Sequence, residues 1–251
     1  MNMRIYLLTL FIATITCVLS YAQDNKIKTD RPSETQIPEA VGKKMFQPEI
    51  GFRFEREEEE EHTLEHPQIL FRFGLLPKLE LRAEITPQTE KRPEEKMSGL
   101  KPVELGFKLG VLEEKGIIPQ TALQAHVGMR DLSSDEFKTK YFYPRVRLLF
   151  QNKLTDKIEL GYNVGAEWNG ESTTADWVYT VSPQFSVGEK WEVFIEEYAY
   201  IRKATSPQHH LDGGLAYYVN NNVKWDLWGG LGLSHDAPKY FVSTGISFRF
   251  H

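Results

Sequence analysis

Residues Phe46-Gln47-Pro48-Glu49-Ile50-Gly51-Phe52-Arg53-Phe54-Glu55-Arg56 alternate apolar and polar side chains with a period of two. A strand sends successive side chains to opposite faces, so Pro48, Ile50, Phe52 and Phe54 share one side and Glu49, Gly51, Arg53 and Glu55 the other. A helix would mix the two sets around its circumference. The pattern recurs at once: Ile69, Phe71 and Phe73 oppose Gln68, Arg72 and Gly74, then Leu79, Leu81, Ala83 and Ile85 oppose Glu80, Arg82 and Glu84, then Val103, Leu105, Phe107 and Leu109 oppose Glu104, Gly106 and Lys108.

The alternation continues through 120–129, 141–151, 158–168, 177–187, 191–201, 211–219, 223–233 and 240–250, giving twelve predicted strands. In the ninth, Glu197 falls among Trp191, Val193 and Ile195, and a β-bulge would restore the phase. Connections after odd strands are long (57–65, 86–102, 130–140, 169–176, 202–210 and 234–239), whereas those after even strands are mostly shorter (74–78, 112–119, 152–157, 188–190 and 220–222). An even strand count with long and short connections in alternation predicts an all-β, antiparallel up-and-down transmembrane β-barrel with short periplasmic turns and longer external loops.

Alternation by itself fits a soluble barrel with an apolar core equally well. The composition of the polar face favours the membrane solution. Glu49, Arg53, Arg72, Glu80, Arg82, Glu104, Lys108, Arg145, Arg147, Glu159, Glu196, Asp212, Asp226 and Arg249 mix both signs and are the candidates to line the lumen and set selectivity. Twelve strands enclose an interior too wide for apolar side chains to fill readily. Trp168, Trp177, Trp191 and Trp225 fall on the apolar face near strand ends, as aromatic girdles do, and Trp228 alone of the tryptophans falls on the polar face. The final Tyr240, Val242, Thr244, Ile246, Phe248 and Phe250 resemble the closing strand read by the barrel-assembly machinery, although His251 follows the last aromatic.

The chain has 251 residues, 41% hydrophobic and 26% charged, with a formal net charge of -5 and a mean hydropathy of -0.43. That composition excludes a bundle of transmembrane helices, each of which needs roughly 20 consecutive apolar residues. Its mild acidity argues against a nucleic-acid partner. Residues 1–22 read as a secretory leader: Arg4 is the positive flank, Ile5 to Val18 the apolar stretch and Ser20-Tyr21-Ala22 the cleavage site. The only cysteine, Cys17, falls inside it, so the exported chain has no disulfide and no thiolate metal ligand. The expected organisation is a leader at 1–22, an irregular periplasmic or lumen-plugging segment at 23–45, and a barrel at 46–251 in the bacterial outer membrane.

Thr29-Asp30-Arg31-Pro32 followed by Ser33-Glu34-Thr35 and Pro48-Glu49-Ile50-Gly51-Phe52 resembles the opening of the outer-membrane transporter family named for the meta-pathway of phenol degradation. Ile69-Leu70-Phe71-Arg72-Phe73-Gly74-Leu75, Leu79-Glu80-Leu81-Arg82, Leu211-Asp212-Gly213-Gly214-Leu215, Trp225-Asp226-Leu227 and Gly245-Ile246-Ser247-Phe248-Arg249-Phe250 continue the resemblance in order. It implies a barrel that passes small molecules, hydrophobic or aromatic ones included, with lipid and solute as partners and no cofactor.

Asp30 and Arg31 are the candidates to anchor the 23–45 segment to interior charges. Three other features invite a reading. Glu57 to Glu61 suggest a solvated loop tip or a divalent-cation site. His62 with His66, His209 with His210, and His235 with Asp236 supply metal-ligand types without strict spacing, and no metal is expected. Ser234-His235-Asp236 supplies the residue types of a lipid hydrolase, but neighbours on a strand end point different ways, so the expectation is a non-enzyme. A closed structural or adhesive barrel is the remaining alternative to a channel.

Overall fold

A computed structural model describes residues 26–202 and 206–251. The expected leader, Cys17 included, lies outside the described residues. Among the described residues, fourteen strands form one antiparallel sheet: β1 (Phe46–Arg56), β2 (His62–Leu76), β3 (Leu79–Ile85), β4 (Pro87–Lys91), β5 (Lys96–Leu100), β6 (Val103–Leu112), β7 (Gln120–Met129), β8 (Tyr143–Thr155), β9 (Ile158–Glu167), β10 (Asp176–Val187), β11 (Trp191–Ile201), β12 (Gln208–Asn220), β13 (Val223–Gly232) and β14 (Tyr240–Phe248). Twelve of these are barrel staves. β1 pairs with β2 on one side and β14 on the other, from Glu49↔Ser247 to Arg56↔Tyr240, and this closes the cylinder.

The other two strands correct the expectation of a plain loop at 86–102. β2 has 15 residues and β3 only 7, so the start of β2 outruns its neighbour and would expose an unpaired edge. The β4–β5 hairpin covers it, from His62↔Lys91 to Glu65↔Gln88. Its polar sequence carries no alternation because it stands beyond the lipid-facing belt, where neither face has to be apolar. β2 accordingly begins at His62, earlier than expected.

The bulge also lies elsewhere than expected. β11 keeps one register against both β10 and β12, so Glu197 stays on the outward face beside Trp191, Val193 and Ile195. There it accepts a hydrogen bond from Tyr179 Oη at 2.9 Å and lies 3.1 Å from His209 Nδ1, close to the long-loop ends of three strands. One phase shift is in β2, away from the short turns: Gly51 pairs with Gln68 and Arg53 with Glu65, so His66 and Pro67 together oppose Phe52. Pro67 has no N–H to give to a ladder, which suits a bulge position.

Burial decides which face looks where. Arg72, Glu80 and Lys108 are 0% exposed, whereas Phe52 and Val242 are 50% and Leu148 is 43% exposed. Charged side chains point in and apolar ones point out, the inverse of a soluble barrel. The outward belt, which also includes Leu81, Leu105, Val164, Ile195 and Leu227, is far larger than the apolar patches that water-soluble monomers tolerate. Trp177 and Trp191 are exposed on the outside, and Trp228 is buried in the lumen. Among the described residues no helix is long and apolar enough to cross a membrane; strands make the crossing.

Leu148 lies near the middle of β8 and pairs with Val164 of β9 on the lipid face. Replacing it by Arg should lower the unfolding free energy in lipid vesicles by about 2–4 kcal/mol, read by urea titration of tryptophan fluorescence.

Candidate functional site

Residues 26–45 run inside the barrel. Ile27 N–H donates to Asn221 O at 2.7 Å in the β12–β13 turn, and Lys28 Nζ meets Glu159 at 3.1 Å near the β8–β9 turn, so the segment enters at the short-turn end. It then crosses the lumen. Arg31 Nη2 lies 2.9 Å from Asp226 Oδ1 and donates to Ser243 Oγ at 3.0 Å. Gly51 and Gly245, register partners on β1 and β14, supply the room: a Cβ on either would collide with the Arg31 guanidinium.

Further along, the N–H groups of Glu34 and Thr35 donate to the Glu196 carboxylate at 2.8 and 2.6 Å. Gln36 and Asn163 exchange two hydrogen bonds, and Val41 N–H donates to Glu80 Oε2 at 2.7 Å. Lumen side chains thus take the place of the sheet for a segment that has no strand partner.

The densest part is a charged cluster around Asp30. Its carboxylate lies 2.8 Å from Lys108 Nζ, 2.7 Å from Arg82 Nη1 and 3.9 Å from Arg72 Nη1. Arg72 makes a bidentate pair with Glu80, both bonds 2.9 Å, and a third bond to Glu49 at 2.9 Å. Glu49 in turn accepts the backbone N–H groups of Asp30 and Arg31. Every formal charge here has an opposite neighbour within hydrogen-bonding reach, as a buried ionic group requires.

The other sequence-selected residues occupy four further places. Arg145 bridges Glu104 and Glu167 at 2.9 and 3.1 Å, and Arg147 bridges Glu167 and Glu34 at 2.5 and 2.6 Å. Arg53 pairs with Glu55 at 2.5 Å and lies over the Phe241 ring at 3.8 Å. Asp212 is buried opposite Glu196 in the β11–β12 ladder. Arg249 follows β14 and bonds Asn222 Oδ1 at the short-turn end, away from the central cluster.

Two cavities flank the inner segment. A vestibule of about 790 Å³ opens among the long loops; Asp30, Arg31, Glu34 and Gln36 form part of its lining, with Arg82, Arg145 and Arg147 on one wall and Tyr198, Tyr200 and Trp228 on another. The second, about 450 Å³, lies at the short-turn end between Pro38 to Met45 and a wall that includes Lys78, Gly110 and Gln120. Sequence reading missed Glu34, Thr35 and Gln36, which lie in an aperiodic stretch, and Gln124, His126 and Asn163, which fall on the polar faces of the strands at 120–129 and 158–168 but carry no formal charge. The glycines on the polar faces were the available clue: some mark where an inner chain approaches the wall.

The remaining features disperse. His209 faces outward and His210 inward, stacked on Tyr198 with ring centroids 4.5 Å apart. Among the described residues no group of His, Cys, Asp and Glu is placed to hold a metal. Ser234 Oγ accepts the His209 N–H at 2.9 Å, while the exposed His235 lies 3.0 Å from Asp236, whose hydrogen bond raises the His235 pKa. Those three residues do not assemble a hydrolytic triad. Glu58 at the acidic loop tip pairs with Lys239 at 3.2 Å.

Comparison with known proteins agrees with this geometry. The barrel is similar to the COG4313 outer membrane channel from Pseudomonas putida F1, with a TM-score of 0.66 and 10% identity, covering 87% of this chain and 99% of that one. It is also similar to the KdgM porin in complex with disordered oligogalacturonate, with a TM-score of 0.56, 12% identity and 81% and 99% coverage. The transport unit of the autotransporter AIDA-I from Escherichia coli gives a TM-score of 0.50 with 8% identity and 96% and 97% coverage. No curated protein matches the sequence. The sequence model of the family described as "Putative MetA-pathway of phenol degradation" matches residues 29–250, and the chain, a bacterial outer-membrane β-barrel, belongs to that family.

Proposed function

We propose that this protein is a non-enzymatic, gated channel for passive passage of small solutes across the outer membrane, and that residues 26–45 hold it closed at rest. The observation that carries this reading is the pair of cavities, one at each end of the barrel, with the inner segment between them. A purely structural barrel would need neither a vestibule of about 790 Å³ nor a separable chain across its interior. The family description points to aromatic compounds as one solute class. The lumen-facing Arg53, Arg82, Arg145 and Arg147, matched by carboxylates, supply the polar lining that tunes selectivity in such pores. β14, alternating Tyr240, Val242, Thr244, Ile246 and Phe248, is the strand offered to the assembly machinery.

Deleting 26–45 tests the closure directly. In planar bilayers the shortened barrel should show a several-fold larger single-channel conductance than the full chain; an unchanged conductance would sink the plug. A milder variant addresses one anchor. Asp226→Asn leaves Arg31 without its buried counter-ion, which should weaken docking of the segment by about 3–5 kcal/mol and raise the frequency of channel openings without changing the fully open conductance.

A further inference from the structure

Asp30 is a carboxylate carried on a segment that has no strand partner, yet it is held by three cations of the wall. Lys108 Nζ contacts both of its oxygens, at 2.8 and 3.1 Å, Arg82 Nη1 lies at 2.7 Å and Arg72 Nη1 at 3.9 Å. The same three cations face two wall carboxylates, Glu49 and Glu80, so the strands alone leave this cluster one positive charge in excess. Asp30 supplies the missing negative charge.

The cluster also sits between the two cavities. On β3, Glu80 lies between Lys78, which lines the short-turn cavity, and Arg82, which lines the vestibule. On β6, Lys108 lies between Gly110 and Glu104 in the same sense. A solute moving from one cavity to the other along this wall has to pass the place that Asp30 occupies.

We propose that Arg72, Arg82 and Lys108 form a binding site for the carboxylate of a small organic acid, and that Asp30 is its tethered occupant at rest. The inference rests on the channel reading above and names the solute class. A free carboxylate reproduces the charge and the hydrogen-bond acceptors of Asp30, so it can take over the cluster and release the segment. A neutral solute of the same size cannot, because three buried cations would then face two anions. The competition also sets a selectivity: without the Asp30 charge, the Arg72, Arg82 and Lys108 cluster carries one positive charge in excess of Glu49 and Glu80 and favours anions.

The full-length protein with Asp30→Asn tests this, with benzoate as the probe and benzyl alcohol as its neutral counterpart. Thermal unfolding in detergent should show benzoate, and not benzyl alcohol, stabilising the variant. The apparent benzoate affinity should be about tenfold or more tighter than in the wild type, where Asp30 competes for the site. Adding Lys108→Met should abolish the response. In bilayers under a potassium chloride gradient, the variant's reversal potential should move toward that of chloride. Asp30→Ala serves the same purpose if the amide variant does not fold, with heat-modifiable gel mobility reporting the folded barrel. Equal benzoate responses in variant and wild type, or an equal response to benzyl alcohol, would overturn the site. Failure of the 26–45 deletion to conduct would overturn the channel instead, and the unfolding assay reads the site independently of conduction.

Discussion

Lipid offers no hydrogen bonds, so a chain that crosses it must pair every backbone N–H and C=O internally. Here that constraint is met by the β1–β14 ladder, which joins the two ends of the sheet so that no stave keeps an open edge. Much else depends on it. Closure fixes an even number of antiparallel staves, sends one face of each strand to lipid, and creates an interior that twelve strands cannot fill with their own side chains. Where one strand outruns its neighbour, as β2 does past β3, the β4–β5 hairpin pairs with the surplus.

The interior solves a second problem, which is charge. Arg72, Lys108, Glu80 and Glu49 have almost no solvent exposure, and a buried ion without a partner costs several kcal/mol. The wall pairs most of them across neighbouring strands, and the segment before β1 completes the rest through Asp30, Arg31 and Glu34. The segment gains its own backbone partners in the same contacts, since Glu49, Glu196 and Glu80 accept its N–H groups. Wall and inner segment are therefore one electrostatic unit, and the segment's position depends on counter-charges that a solute could also provide.

The barrel alone does not select a function. A porin and the transport unit of an autotransporter both share it at 12% identity or less. The lumen of this chain holds an inner segment pinned at several places, with arginine and aromatic side chains lining the vestibule and a cavity on each side.

Most of the architecture was legible in the sequence because lipid and lumen impose opposite demands on alternate residues, and that demand leaves a mark at every second position. It located the twelve staves, the inward charges and the outward belt. It could not locate the β2 bulge, since a single extra residue at His66–Pro67 is visible only through the register with β1, nor show that Glu197 needs no bulge, since an outward carboxylate is tolerated near the loop ends where Tyr179 and His209 meet it. Asp30 and Arg31 stood out as charged residues in an aperiodic stretch; which wall residues they meet was decided only when closure brought β1, β3, β6, β13 and β14 around them. Alternation is a local property that one strand carries by itself, whereas a lumen contact joins residues as far apart as Arg31 and Ser243, and only the closed barrel sets that distance.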